Sequence, residues 1–375
     1  MRASHDRPGP ARNRRRVVIT RRFALDVRDG INIFIFGLAD ALIAAGHDVA
    51  VLANRVGDHD RLRSLYAPRS LPALHAIEHR PHRLSIEGLT PGWLTRGRQR
   101  IREFHPDLVI NNGALPFDTP GVTCNLAHDL GWATAPRRFD RLRTWYKRYA
   151  YGRGQEIIAL SPEVGDGLTR QLGIDPARVR IIPPTAGYSG RARPLAERED
   201  LIVHTGTGDY KDPASSVRAF AMLPPRATRL VVEGPVTEGL AQQVSALPAV
   251  TRARIDLVGE LSGPDLDDLL GSARIAAFPS RYTVPTASAT VVEAIRAATP
   301  IAGSSQLSRL VLQPELNGLA SHDDRGLAAS FERLLGDDDA WDRMSWGAQE
   351  MSPRFEPDRV AAAYLALLDD HGAGP

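Results

Sequence analysis

Residues 17–53 read VVITRRFALDVRDGINIFIFGLADALIAAGHDVAVLA. The apolar run Val17–Thr20 predicts a strand, and the apolar residues of Ile33–Ala45 fill a helix rather than an alternating strand. Gly46 stops that helix, and His47–Ala53 restarts a strand. Strand, helix, strand within forty residues is the unit of a parallel sheet, because parallel neighbours need a crossover.

The same rhythm continues. Strands are expected at Leu108–Asn111, Val122–Leu126 and Ile157–Leu160, the last after a long basic helix. The pattern then restarts with Leu201–His204, Arg229–Glu233, Ile255–Val258, Ile275–Phe278 and Ile301–Ala302, separated by helical segments such as Pro213–Met222 and Asp265–Leu270. Between the halves, Pro183-Pro184 and the polar stretch Ser189–Asp200 read as a linker. Glu356–His371 is amphipathic and closes the chain as a helix. The fold class expected is α/β, two facing halves with parallel sheets and a ligand cleft at the carboxyl ends of the strands.

Length and composition agree with this. The 375 residues suffice for two domains, and 43% hydrophobic with 24% charged residues excludes a disordered chain. The most apolar window, Ile31–Ala45, is interrupted by Asn32 and Asp40, so no membrane span is expected. Arg21 and Arg22 break the first apolar stretch, so no secretion signal is expected either, and the expected location is cytoplasmic. The single cysteine, Cys124, forms no internal disulfide and reads as a small core residue.

The net charge of +3 is misleading, because residues 1–16 hold six arginines and one aspartate. The rest is slightly acidic, which argues against a nucleic-acid surface. The segment 137–153 interleaves basic and aromatic residues. A solvated helix is the favoured reading there, and peripheral membrane contact the less favoured one. Only two of the 47 basic residues are lysines, Lys147 and Lys211.

Several segments, in order, resemble the family-4 retaining glycosyltransferases. They are Gly30-Ile31-Asn32 with the helix after it, Ile157–Ser161, Val179–Pro183, Val258–Leu261, Phe278–Ser280, Val292-Glu293-Ala294 and Asn317-Gly318-Leu319. The resemblance implies a GT-B fold of two Rossmann-like domains. It divides the chain into a disordered basic tail over 1–16, an acceptor domain over 17–183 and a linker over 184–199. A nucleotide-sugar domain over 200–355 follows, and a terminal helix over 356–375 crosses back to the first domain.

It further implies a hexose-type sugar moved from a nucleotide diphosphate sugar to a hydroxyl of a small acceptor, a secondary-metabolite or cyclitol core being preferred. His128 would sit beside the donor sugar. Lys211 would grip the diphosphate, and Glu293 would receive the ribose hydroxyls. Ser288 takes the place of a family glycine before the amides of Ala289 and Thr290. Small residues there let phosphate approach a helix N-terminus, whose free N–H groups and dipole favour an anion. Gly30 permits close approach from the other side. The sequence departs from the family pattern where Gly206 and Thr207 stand in place of an arginine, for which Arg281 is the candidate replacement, and where Pro285 replaces a donor-sugar acid. The acceptor loops are placed at Leu84–Leu94 and Asn112–Asp118. The triplets at Asp58-His59-Asp60, Asp265-Leu266-Asp267 and Asp337-Asp338-Asp339 read as chance and helix capping, so no metal and no cofactor beyond the donor substrate are expected. Two other readings are a sugar-nucleotide epimerase of the same fold and a binding protein that keeps nucleotide affinity without turnover.

Overall fold

Each half of the chain folds into one parallel sheet covered by helices. The computed structural model describes residues 14–78, 89–128, 140–186, 192–281 and 286–372. The first sheet contains β1 (Arg16–Ala24), β2 (Asp48–Arg55), β3 (Ala73–Ala76), β4 (Leu108–Asn112), β5 (Val122–Ala127), β6 (Glu156–Ala159) and β7 (Val179–Ile181), in the order β3-β2-β1-β4-β5-β6-β7. The second contains β8 (Glu199–Thr205), β9 (Arg229–Glu233), β10 (Ile255–Gly259), β11 (Ala273–Phe278), β12 (Ile301–Ser304) and β13 (Gly318–Ser321), in the order β10-β9-β8-β11-β12-β13. The two Rossmann-like domains expected are therefore present.

Their helices are α1 (Gly30–Ala44), α2 (His59–Tyr66), α3 (Arg98–Phe104), α4 (Asp140–Arg153) and α5 (Pro162–Leu172) in the first half. The second half carries α6 (Pro213–Ala221), α7 (Glu238–Ser245), α8 (Ala249–Arg252), α9 (Gly263–Ser272), α10 (Ala289–Arg296), α11 (Asp324–Gly336), α12 (Asp338–Met351) and α13 (Pro357–Asp370). Among the described residues no helix is long and apolar enough to cross a membrane. The Ile31–Ala45 window forms α1, which is buried along most of its length and includes the buried polar residues Asn32 and Asp40.

One apolar cluster joins the halves. It takes Phe34 from α1, Val292 from α10, and Val360, Tyr364, Leu367 and Leu368 from α13, with Phe34 and Tyr364 ring centroids 6.2 Å apart. Cys124 is buried in the same cluster on β5. Burial pushes its thiol well above the usual range, so it stays a neutral core residue.

Three strands escape the periodicity reading. β3, β7 and β13 are three- or four-residue edge strands. With only one paired side they need no continuous apolar run. The tail also ends earlier than expected. Arg14 pairs with Asp48, the amide of Arg15 donates to His47 Nδ1 at 3.1 Å, and Arg16 already begins β1. The linker is shorter as well, since β8 starts at Glu199, and residues 187–191 within it lie outside the described residues. Residues 1–13 and 84–88, the latter part of one expected acceptor loop, are outside them too.

The basic helix is not wholly solvated. On α4, Trp145 and Tyr149 are exposed and stacked at 5.8 Å, whereas Lys147, Ala150 and Tyr151 are buried. The Asp triplets behave as capping residues at two places. Asp58 accepts from the Arg61 amide at the start of α2, and Asp337 from the Ala340 amide at the start of α12. Among the described residues, no three His, Cys, Asp or Glu side chains gather as a metal site.

Candidate functional site

The carboxyl ends of β8, β9 and β10 and the amino end of α1 enclose a cavity of about 360 Å³, lined by Gly30, Thr207, Lys211, Glu233, Glu260 and Thr290 among others. Two parallel sheets facing each other with their strand ends are bound to leave such a crevice, since the loops that leave the strands are the only irregular backbone there.

Lys211 is at its floor. It ends a short turn, Asp209–Lys211, and is buried. Its Nζ donates to Thr290 Oγ1 at 3.0 Å and to the Thr205 carbonyl at 3.3 Å. Gly206 makes room for it. That residue has φ of +80°, and a Cβ there would lie 2.9 Å from Lys211 Cδ and Nζ. Burial lowers the Lys211 pKa to about 8, against the pull of Glu233 and Glu293.

Thr290 belongs to the first turn of α10. The N-cap residue Ser288 makes no side-chain bond to the helix amides; its hydroxyl lies 3.0 Å from Thr290 Oγ1 instead. A plain capping serine would bond the third amide of the helix. Ala289 is buried, and a Cβ on Gly30 would come within 3.9 Å of Ala289 Cβ, so the amino ends of α1 and α10 approach closely. Thr207 lines the cavity, but its hydroxyl is committed to the Pro235 carbonyl at 2.6 Å.

Glu293 lies one layer back. Its Oε1 accepts from Arg28 Nη2 at 2.7 Å, its Oε2 is buried without a partner among the described residues, and Arg28 stands between it and the cavity. Burial raises the Glu293 pKa, partly opposed by Arg28. Burial disfavours the Arg28 charge in turn, but Glu293 and Glu233 outweigh it and the Arg28 pKa rises. Arg28 and Glu293 come from different domains, so their pair also fastens the cleft. Arg61 and Glu260 make a second such pair at 2.8 Å on the exposed rim.

His128 follows β5. Its Nε2 lies 2.7 Å from Asn112 Oδ1, and its carbonyl accepts from Thr286 Oγ1 at 2.6 Å, two residues before the α10 cap. Burial, with Arg21 nearby, lowers the His128 pKa to about 3, so the ring is neutral. An amide oxygen opposite Nε2 fixes Nε2 as the donor and leaves Nδ1 an acceptor.

Arg281 departs from the expectation. Its Nε engages Asp212 Oδ2 at 3.0 Å and its amide donates to the Tyr210 carbonyl at 2.7 Å, so it braces the segment around Lys211 and does not line the cavity. Pro285 lies outside the described residues. The fold brings Gly30, Thr207, Lys211, Ser288, Ala289, Thr290 and His128 to one region, together with Arg28, Glu233, Glu260 and Asn112, which the sequence alone does not single out as site residues. A signal existed for Glu233, an acid ending an otherwise apolar strand at the ligand side of a parallel sheet. Arg28 carried none.

The sequence profile of Glycosyltransferase Family 4 matches residues 28–185, and that of Glycosyl transferases group 1 matches residues 199–337. The chain belongs to the family-4 glycosyltransferases. The two profiles divide at the junction between its two sheets and together include every site residue named above. Among solved structures, this glycosyltransferase is similar to sucrose-phosphate synthase from Thermosynechococcus elongatus, at 17% identity over 96% of this chain and 100% of that one, with a TM-score of 0.74. It is also similar to the HepE protein of Anabaena in complex with UDP (16%, 95% and 100%, TM-score 0.72) and to a glycosyltransferase from Rickettsia africae (14%, 96% and 99%, TM-score 0.69). At these identities the likeness speaks for the fold. No curated protein matches the sequence.

Proposed function

We propose that this glycosyltransferase moves a hexose-type sugar, with retention of anomeric configuration and without a metal, from a nucleoside diphosphate sugar to a hydroxyl of a small acceptor. The observation that carries the reading is the Lys211 ammonium, buried beside Thr290 at the amino end of α10 and facing the cavity. An ammonium and free helix amides around one cavity suit a diphosphate, and they stabilise it most when it leaves with extra negative charge.

In this reading the diphosphate lies against Lys211 and the amides of Ala289 and Thr290, with Gly30 admitting it from the first domain. Ribose hydroxyls donate to Glu293, whose Oε2 is without a partner among the described residues. They reach it by displacing Arg28, which stands between Glu293 and the cavity. The sugar points toward His128, whose Nδ1 accepts from one of its hydroxyls. The bond from the acceptor oxygen to the anomeric carbon forms on the face that the leaving group vacates. The bond to the diphosphate oxygen breaks with its electron pair, and the acceptor proton passes to that oxygen. The HepE structure with UDP is in keeping with such a donor on this fold.

The test is a thermal-shift screen of UDP- and GDP-sugars on the wild type, Lys211→Ala and Glu293→Ala, followed by product analysis with an acceptor panel. Nucleotide stabilisation in the wild type that both variants lose, with a glycosylated product, is the expected result. Stabilisation equal in all three proteins overturns the site. Conversion of the donor without acceptor identifies an epimerase instead, and binding without any turnover identifies a nucleotide-binding protein.

A further inference from the structure

A second cavity, of about 120 Å³, opens at the carboxyl end of the first sheet. There β1 and β4 lie side by side, Arg21 opposite Asn112, and the chain leaves them toward opposite edges of the sheet. Such a switch point is where open parallel sheets leave a ligand crevice. The wall includes Arg21, Arg22, Asn112, His128, Tyr146 and Lys147, and no carboxylate among the described residues lines it.

The cations there are built in rather than draped over the surface. Lys147, on α4, is buried. Arg21 is buried and already committed, to Asp29 at 2.6 Å and Asn32 at 3.0 Å. Arg22 differs. It is 8% exposed, and among the described residues it makes no ion pair, its Nη1 reaches only the Ala114 carbonyl at 3.5 Å and its Nε has no partner. Gly113 is shaped to receive it, with φ of +96° and a position where a Cβ would fall 2.2 Å from Arg22 Nη2. A buried guanidinium without a counter-charge is costly, and proteins keep such groups where an anion completes them.

We propose that this cavity seats an oxyanion, a phosphate or a carboxylate, carried by the acceptor, with Arg22 as its principal contact and Lys147 beside it. The proposal rests on the glycosyl-transfer reading and names the class of acceptor. The diphosphate of the donor is not this anion, because Lys211 and Thr290 line the other cavity, across Gly30 and Ile31. His128 links the two. Its ring lines the second cavity, and its carbonyl is bonded to Thr286 before α10. An acceptor anchored by its anion at Arg22 thereby presents a hydroxyl alongside the sugar held near His128.

The experiment measures thermal unfolding of the full chain loaded with UDP, replacing sodium chloride by sodium phosphate or sodium acetate at fixed ionic strength. At ten times its Kd, an anion bound to the native state raises Tm by about 2 °C. The expected result is such a rise with at least one of the two anions, its identity separating phosphate from carboxylate acceptors. Arg22→Ala and Arg22→Gln abolish the rise and Arg22→Lys retains part of it, while all three keep the wild-type shift with UDP. A rise that survives Arg22→Ala, a rise that UDP loading removes, or no rise with either anion overturns the proposal. A protein that UDP and GDP leave unshifted contradicts the donor reading instead, and the dependence on Arg22 is then read on the unloaded chain. With an active enzyme, Arg22→Ala raises KM for glucose 6-phosphate or glucuronate at least tenfold relative to its effect on glucose.

Discussion

The cavities on either side of Gly30 and Ile31 treat buried charge in opposite ways. In the first, cations and acids alternate, with Arg28 against Glu293 at 2.7 Å and Lys211 under the pull of Glu233 and Glu293. In the second, Arg21 is matched by Asp29, but Arg22 has no carboxylate among the described residues. A balanced cluster is self-sufficient and must be opened for a ligand to enter. An unbalanced one is completed by its ligand. The difference predicts how each fails.

The sharpest separation is in stability. Arg28→Ala leaves the Glu293 carboxylate buried without its partner, and breaking such a pair costs about 3–5 kcal/mol. Arg22→Ala orphans no acid among the described residues, so the denaturant midpoint of the second variant stays near that of the wild type while the first falls well below it. Equal losses would erase the distinction drawn between the cavities.

Lys211→Ala tests the first cavity as the seat of the chemistry. Removing one preorganised donor to a developing anion costs about 10²–10³ in kcat. Single-turnover rates with the donor that the screen identifies should fall by that factor in Lys211→Ala. The same rates in Arg22→Ala, measured at saturating acceptor, should fall far less.

Much of the first cavity was legible in the sequence because its parts are backbone devices with spelling of their own. A lysine in a chain with almost none, small residues before a helix and a glycine at the start of α1 each leave a local trace. The parallel sheets were legible for the same reason, since central strands such as Val17–Thr20 and Ile275–Phe278 must be apolar on both faces. What escaped is held by distance. β3, β7 and β13 pair on one side only and carry no such run. Arg28 matters because Glu293 comes to it from 265 residues away. Arg22 matters because Gly113 makes room for it and Asn112 and Lys147 line the same cavity, and as a sequence the Arg21-Arg22 pair only spoils an apolar stretch. Arg281 illustrates the converse, a charge of the right kind near Lys211 that the fold spends on Asp212.

Gly206→Ala carries the comparison into the backbone. The left-handed φ of +80° costs a side-chain-bearing residue about 1–2 kcal/mol, and the added Cβ pushes on Lys211 at 2.9 Å. Nucleotide affinity by calorimetry should drop, with the phosphate response assigned to Arg22 unchanged.

The smallest effect expected is a pH dependence confined to the first cavity. The Lys211 pKa is lowered from 10.5 to about 8, chiefly by burial. Between those two values the unfolded chain holds a proton that the native chain has released, so stability contributed by this group rises with pH through that window. Below pH 8 both states are protonated, and the full cost of burying the ammonium is present. Nucleotide binding runs the other way, because the diphosphate needs the charged form. From pH 7 to pH 9 the charged fraction of free Lys211 falls about tenfold, and UDP affinity should fall by up to that factor. Lys211→Arg, always protonated, should flatten the profile even where it binds less well. The phosphate response of the second cavity should keep its magnitude from pH 8 to pH 9, where the second phosphate proton is already lost. A UDP affinity independent of pH over the same interval would mean that Lys211 does not meet the diphosphate.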